Sequence, residues 1–217
     1  QNIDQIIIKS KVLLISCGKK SVKASIYLKK KFKDLVFNIH IQDPKSNYKF
    51  FDLIISPEHD QLKKPNNIST LLALHNINFE SNKKKTDAIN FIIGGSNKYF
   101  KFNEDTQNEI LNDLNFLSKI SLVNVIPSRR TPPLFIEKLA SIKNQNLKLF
   151  TDLFDPIAYG NLLSEAKMQI VTWDSISMIS EAISSETGTF LYKFEEKSCP
   201  KRYQLFHQMV KQKGFLK

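Results

Sequence analysis

The chain has 217 residues, 41% of them hydrophobic, sixteen of them Phe, and a formal net charge of +11. That length suits one large domain or two small ones, and that apolar content fills a core, which excludes wholesale disorder. No apolar run approaches the ~20 residues of a membrane-spanning helix, and the opening Gln1-Asn-Ile-Asp has neither the basic nor the apolar region of a signal peptide.

The first residue is not Met, which points to a trimmed chain or to a piece of a longer one. Cys17 and Cys199 stand far apart, so no disulfide framework is indicated and reduced thiols are expected. Neither has metal-ligand spacing with another Cys or a His, so no metal site is expected. The charge admits an anionic membrane surface, nucleic acid or an acidic ligand. Arg occurs only at Arg129, Arg130 and Arg202, leaving 29 Lys. Much of that Lys reads as solvated surface. Two adjacent Arg are more informative, because the guanidinium offers phosphate a planar fork.

In chain order, Val12–Ser16 reads as a buried strand, Cys17–Ser21 as a glycine turn and Val22–Lys33 as a helix. Gly18-Lys-Lys-Ser lacks the spacing of a phosphate loop. Leu35–Ile41 is a second strand, followed by Gln42-Asp43-Pro44. Phe51–Pro57 is a third, followed by Glu58-His59-Asp60. Segment 79–86 is polar and basic and reads as a linker. Ile89–Ile93 is then a strand running into Gly94-Gly95-Ser96-Asn97, with a helix over Asn103–Lys119. Ser121–Ile126 is a strand ending in Pro127-Ser128-Arg129-Arg130-Thr131-Pro132, with a helix from Leu134 to Ile142. Leu147–Phe150 is a short strand, and Asp155-Pro156 opens a helix to about Ala166. Strand Thr189–Phe194 and a terminal helix over Pro200–Lys211 complete the order.

One stretch stands out. Met168–Thr172 is an apolar, β-branched strand, and Ile176, Ile179 and Ile183 give the following run one apolar face. Asp174 or Ser175 caps that helix. A strand feeding a helix N-terminus gathers free N–H groups and a positive dipole end, with Ser175, Ser177 and Ser180 close by. The plainer reading is an ordinary serine-capped turn. His59, between two carboxylates, has the makings of a tuned acid–base residue. The plainer reading there is a surface turn in which Glu58 and Asp60 cap the next segment.

Alternating strands and helices predict a mostly parallel α/β fold with right-handed crossovers. The restart after Lys85 predicts two units with a cleft between them, divided as residues 1–82 and 83–217.

Several loops in combination resemble the mitochondrial fission "elongated mitochondria" family. They are Ile41-Gln-Asp-Pro44, Phe51 to Asp60, Pro65-Asn66, Ile93-Gly-Gly-Ser96, Ser128-Arg-Arg-Thr-Pro132 and Val171 to Ala182. The resemblance runs from about Val12 to the end. It implies two Rossmann-like units with mostly parallel sheets, similar to GT-B glycosyltransferases and sugar-nucleotide epimerases, with the first unit shortened. It implies a nucleotide-sugar diphosphate as substrate and no separate cofactor. Gly94, Gly95 and Ser96 would flank the phosphates, and Arg129 and Arg130, beside Thr131, would neutralise them. Asp174 lies in the same junction, where Ser175, Ser177 and Ser180 would donate. Glu181 would accept a ribose hydroxyl. His59, or Glu58 or Asp60 beside it, would be the base across the cleft. Trp173 replaces the family's small residue and narrows that cleft.

The function implied is that of a cytoplasmic GT-B-like protein transferring a sugar to an envelope acceptor. The alternative is a non-catalytic adaptor held at an anionic membrane surface, peripheral to the inner membrane. Nucleic acid is disfavoured as a partner, because the basic residues do not alternate with aromatics and no DNA- or RNA-binding motif is present.

Overall fold

The computed structural model describes residues 3–79, 84–152 and 155–217. Strand β1 (Val12–Cys17) leads directly into helix α1 (Gly18–Phe32), then come β2 (Val36–Ile41), β3 (Leu53–Pro57) and β4 (Asn67–Thr70). These four strands form one parallel sheet in the order β1-β2-β3-β4. The expected turn at Cys17–Ser21 is in fact the first turn of α1, entered through Gly18 at a φ of 73°. That left-handed backbone is one that glycine adopts without a Cβ penalty.

Helices do not alternate with strands throughout the first unit. The β2–β3 and β3–β4 connections hold only the 3-10 turns Tyr48–Phe50 and Glu58–Asp60. Their sequences explain this: Pro44 and Pro65 interrupt short polar segments that lack a 3.6-residue apolar repeat. The core of this unit is correspondingly small, with Val22, Phe51 and Ile54 buried together.

The second sheet holds β5 (Ile89–Ile93), β6 (Val123–Pro127), β7 (Leu147–Leu149), β8 (Met168–Thr172) and β9 (Gly188–Tyr192). Its order is β7-β6-β5-β8-β9, all parallel. Helices α2 (Glu104–Leu117), α3 (Pro133–Ala140), α4 (Pro156–Glu165), α5 (Ile176–Ser184) and α6 (Lys201–Gln212) belong to the same unit. All five residues of β5 are buried, as a central parallel strand requires. Phe91, Phe100, Phe135, Ile110 and Leu114 are wholly enclosed beside it.

The helix starts follow their caps. Asn103 accepts from the Thr106 amide at 3.0 Å. Asp155 accepts from Ile157 at 3.1 Å, with Pro156 at the first helical position. The chain divides by its contacts into Gln1–Ala73 and Leu74–Lys217. The expected linker at 79–86 includes 80–83, which lie outside the described residues. No helix among the described residues is long and apolar enough to cross a membrane.

Candidate functional site

In the second unit the strand order reverses at β5: the chain moves one way to β6 and β7, then returns on the other side to β8 and β9. In open α/β sheets this reversal opens a crevice beyond the carboxyl ends of the strands. The turns after β5, β6 and β8 meet there.

They meet on Asp174, which has no exposed surface. Its Oδ2 lies 2.6 Å from Nη2 of Arg130 and accepts from the Gly95 amide at 3.3 Å. Its Oδ1 accepts from Thr172 Oγ1 at 2.7 Å. Thr172 Oγ1 in turn accepts from the Gly94 amide at 2.7 Å. The Asp174 carbonyl accepts from Asn97 Nδ2 at 3.0 Å. Burial pushes the Asp174 carboxyl above the ordinary range, against the opposing pull of Arg130, Thr172 and the Gly95 amide.

Thr131 closes the arginine turn against β5. Its Oγ1 donates to the carbonyls of Ile93 and Gly94, at 2.8 and 2.7 Å, and accepts from the Ser128 amide at 2.9 Å. Both glycines are required by this closeness. A Cβ on Gly94 would overlap the Asp174 carboxylate, and one on Gly95 would overlap the Arg130 carbonyl.

The helix cap falls to Ser175, whose Oγ accepts from the Met178 amide at 3.4 Å. Asp174 is turned inward instead. The amides of Ile176 and Ser177, in the first turn of α5, have no acceptor among the described residues, and Ser177 is exposed. Ser180 lies deeper in α5 with no exposed surface, away from that open end. Ser96 is exposed, and its Oγ accepts from the Phe102 amide at 2.9 Å. Arg129 is also exposed.

Glu181, one helical turn further, accepts from Tyr159 Oη at 3.4 Å. Burial pushes its carboxyl up to about 7, with Tyr159 and Arg129 pulling the other way. Trp173 packs into an aromatic cluster. Its ring stacks on His207 at 5.2 Å and 8°, and its Nε1 donates to the Phe194 carbonyl at 3.2 Å.

The structure therefore brings Gly94, Gly95, Arg130, Thr131, Asp174 and Ser175 to one place. Arg129 and Glu181 sense each other electrostatically. Two participants escaped the sequence reading. Thr172 looked like an ordinary strand residue, and Asn97 an ordinary turn residue; a polar side chain at the last position of β8 and another in the turn after β5 were the available signals.

His59, Glu58 and Asp60 belong to the first unit, in a 3-10 turn after β3. His59 is buried, with Nε2 3.9 Å from Asp60 Oδ1. The same unit buries a second histidine, His40, whose Nδ1 lies 2.8 Å from Ser16 Oγ. Burial lowers its pKa, against the nearby Asp43.

The comparisons with known proteins bear on both fold and family. The profile of the family Mitochondrial fission ELM1 matches residues 5–217. The Uncharacterized protein RP120 of Rickettsia prowazekii (strain Madrid E) is 30% identical over 255 residues, covering 93% of this chain and 70% of that protein. Mitochondrial fission protein ELM1 of Arabidopsis thaliana is 22% identical over 243 residues, covering 95% of this chain and 56% of that protein. The chain thus spans little more than half of the plant relative. Among solved structures, a Listeria monocytogenes protein provisionally named UDP-N-acetylglucosamine 2-epimerase superposes with a TM-score of 0.59 at 12% identity. That match covers 94% of this chain and 64% of the other. The likeness is one of fold: paired parallel α/β units of GT-B-like type. The match of the family profile across almost the whole sequence places this chain in the mitochondrial fission ELM1 family.

Proposed function

We propose that the second unit binds the diphosphate of a nucleotide-sugar at the carboxyl ends of β5, β6 and β8. The observation that carries this reading is the convergence of the glycine turn, the arginine turn and the N-terminus of α5 on buried Asp174. Arg130 is committed to Asp174, so it shapes the pocket more than it neutralises a ligand. The ligand's charge falls to exposed Arg129, to the first-turn amides of α5 and to the helix dipole. Ser177 and Ser96 add hydroxyl donors, and Glu181 takes a ribose hydroxyl. Transfer would proceed by displacement at the anomeric carbon, with these groups stabilising the departing diphosphate. His59 or a carboxylate beside it would deprotonate the acceptor. The setting proposed is cytoplasmic, with an envelope component as acceptor.

The experiment is calorimetric titration of the chain with UDP, UDP-N-acetylglucosamine, GDP and CMP. Micromolar binding of one of them, weakened by Arg129→Ala, is the expected result. Absence of heat with all four, for wild type and variant alike, removes the reading.

A second reading, a non-catalytic adaptor at an anionic membrane surface, is favoured by the +11 net charge. It predicts salt-sensitive co-sedimentation with phosphatidylserine vesicles and none with neutral ones.

A further inference from the structure

The positive charge is not spread evenly along the chain. Residues 1–73, the first compact unit, hold 13 Lys against 6 Asp and Glu, a net +7, and residues 74–217 hold the other +4. A third of the length thus carries nearly two thirds of the surplus. Within that unit α1 has six Lys and no acidic residue.

The helical period sorts those lysines by side. Val22, Ser25 and Leu28 are buried. Lys29 reaches the sheet as well, donating to the Val36 carbonyl and pairing with Asp52, each at 2.7 Å. Lys20, Lys23, Tyr27, Lys30 and Lys31 recur at spacings of three or four along the outer side, and all are exposed. The 3-10 turn Tyr48–Phe50 widens this face. Lys30 Nζ lies 4.7 Å from the centre of the Phe50 ring, and Lys49 Nζ lies 5.4 Å from it. Lys31 Nζ lies 5.8 Å from the centre of the Tyr27 ring. Asp4 accepts from Tyr27 Oη on this face, one negative charge beside the five of Lys20, Lys23, Lys30, Lys31 and Lys49.

We infer that this face of α1, with Lys49 and Phe50, is where the first unit meets an anionic lipid surface. The inference rests on the membrane-surface reading above and gives that contact a location. The row of lysines runs about 16 Å along the helix, so its ammonium groups can meet a plane of headgroup phosphates together. Long lysine stems and the two rings suit the boundary between water and lipid. The helix does not insert, because its apolar side is already the core of the unit, so binding is electrostatic and weakens with salt. Single-stranded nucleic acid fits less of the observation. Bases stack on open aromatic faces, and the Tyr27 and Phe50 rings already lie under ammonium groups.

The test is co-sedimentation of the 217-residue chain with vesicles of phosphatidylserine in phosphatidylcholine, with hydrogen exchange of the bound chain. Lys20→Glu/Lys23→Glu/Lys30→Glu is compared with Lys138→Glu/Lys143→Glu/Lys167→Glu, which makes the same charge change on exposed lysines of the second unit. All six side chains are exposed, so both variants should keep their circular dichroism. The α1 variant should lose about tenfold or more in binding and the other about threefold or less. In the wild type, which needs no variant, the α1 amides should exchange more slowly on the vesicles. Equal losses in the two variants, or unchanged α1 exchange, overturn the location and leave the membrane reading standing. A wild type that ignores the vesicles at low salt removes both. Tighter binding to polyuridine than to vesicles, lost in the α1 variant, overturns the inference in favour of nucleic acid.

Discussion

The Arg130 guanidinium lies 2.6 Å from a carboxylate oxygen of Asp174, and the two differ in their access to water: the Arg130 side chain is 34% exposed and that of Asp174 is sealed. Removing either partner therefore has unequal consequences. Asp174→Ala frees a cation that reaches solvent, while Arg130→Ala strands a carboxylate that does not. Losing one partner of a buried pair costs about 3–5 kcal/mol when the survivor stays buried. Arg130→Ala should fall in that range and Asp174→Ala below it, as urea unfolding of both variants will read.

Gly94→Ala and Gly95→Ala test how closely the two turns approach. Overpacking of this kind costs about 1–3 kcal/mol. Gly95→Ala should be the worse of the two. Its obstacle is the Arg130 backbone, whereas that at Gly94 is the Asp174 side chain. Unfolding midpoints rank them.

Arg129→Ala separates binding from stability. The side chain is exposed, so stability should change by no more than about 0.5 kcal/mol. Loss of its charge from the proposed diphosphate site should weaken binding of a nucleoside diphosphate about tenfold, near 1.4 kcal/mol. Calorimetry beside a thermal melt distinguishes the two effects.

Glu181 makes a pH prediction. Its folded pKa is about 7, above the unfolded 4.5. Between these values the folded state keeps a proton that the unfolded state releases. Stability from this group is full below 4.5, declines as pH rises and is lost above about 7. The decline is at most about 3 kcal/mol. Denaturant unfolding from pH 4.5 to 8 should show it as a difference between wild type and Glu181→Gln, the variant having the flatter curve.

Trp173 is the only tryptophan, and its ring stacks on His207. Burial lowers the His207 pKa, so its imidazole stays neutral below the usual 6.5. Quenching of Trp fluorescence by the protonated ring should therefore set in with a midpoint under 6.5. His207→Gln should abolish that step.

Much of the second unit was legible because its strands and helices carry strong periodicity. Met168–Thr172 and the isoleucine face of α5 are examples. β4 was not legible: Asn67-Ile-Ser-Thr70 holds one apolar residue, and what makes it a strand is backbone pairing to β3. The helices expected throughout the first unit gave way to 3-10 turns for the same reason, since no apolar repeat was present to drive them. At the site, the sequence pointed to the turns but not to the inward turn of Asp174. Either Asp174 or Ser175 suits an N-cap, and only the nearby Gly95 amide and Arg130 decide between them.

The first sheet also bears on how this polypeptide behaves in concentrated solution, for Leu13, Ile15, Phe37 and Ile68 are each more than half exposed on it and no described strand pairs with the outer side of β1. An open strand edge beside an oily surface is the usual seed of edge-to-edge aggregation. Surplus lysine opposes that seeding, because like-charged molecules repel before their edges meet. Such repulsion reaches about 10 Å at 0.1 M salt and about 3 Å at 1 M. Light scattering should therefore rise with ionic strength, the reverse of salting-in, and the cationic excess serves as a colloidal safeguard whatever else it binds.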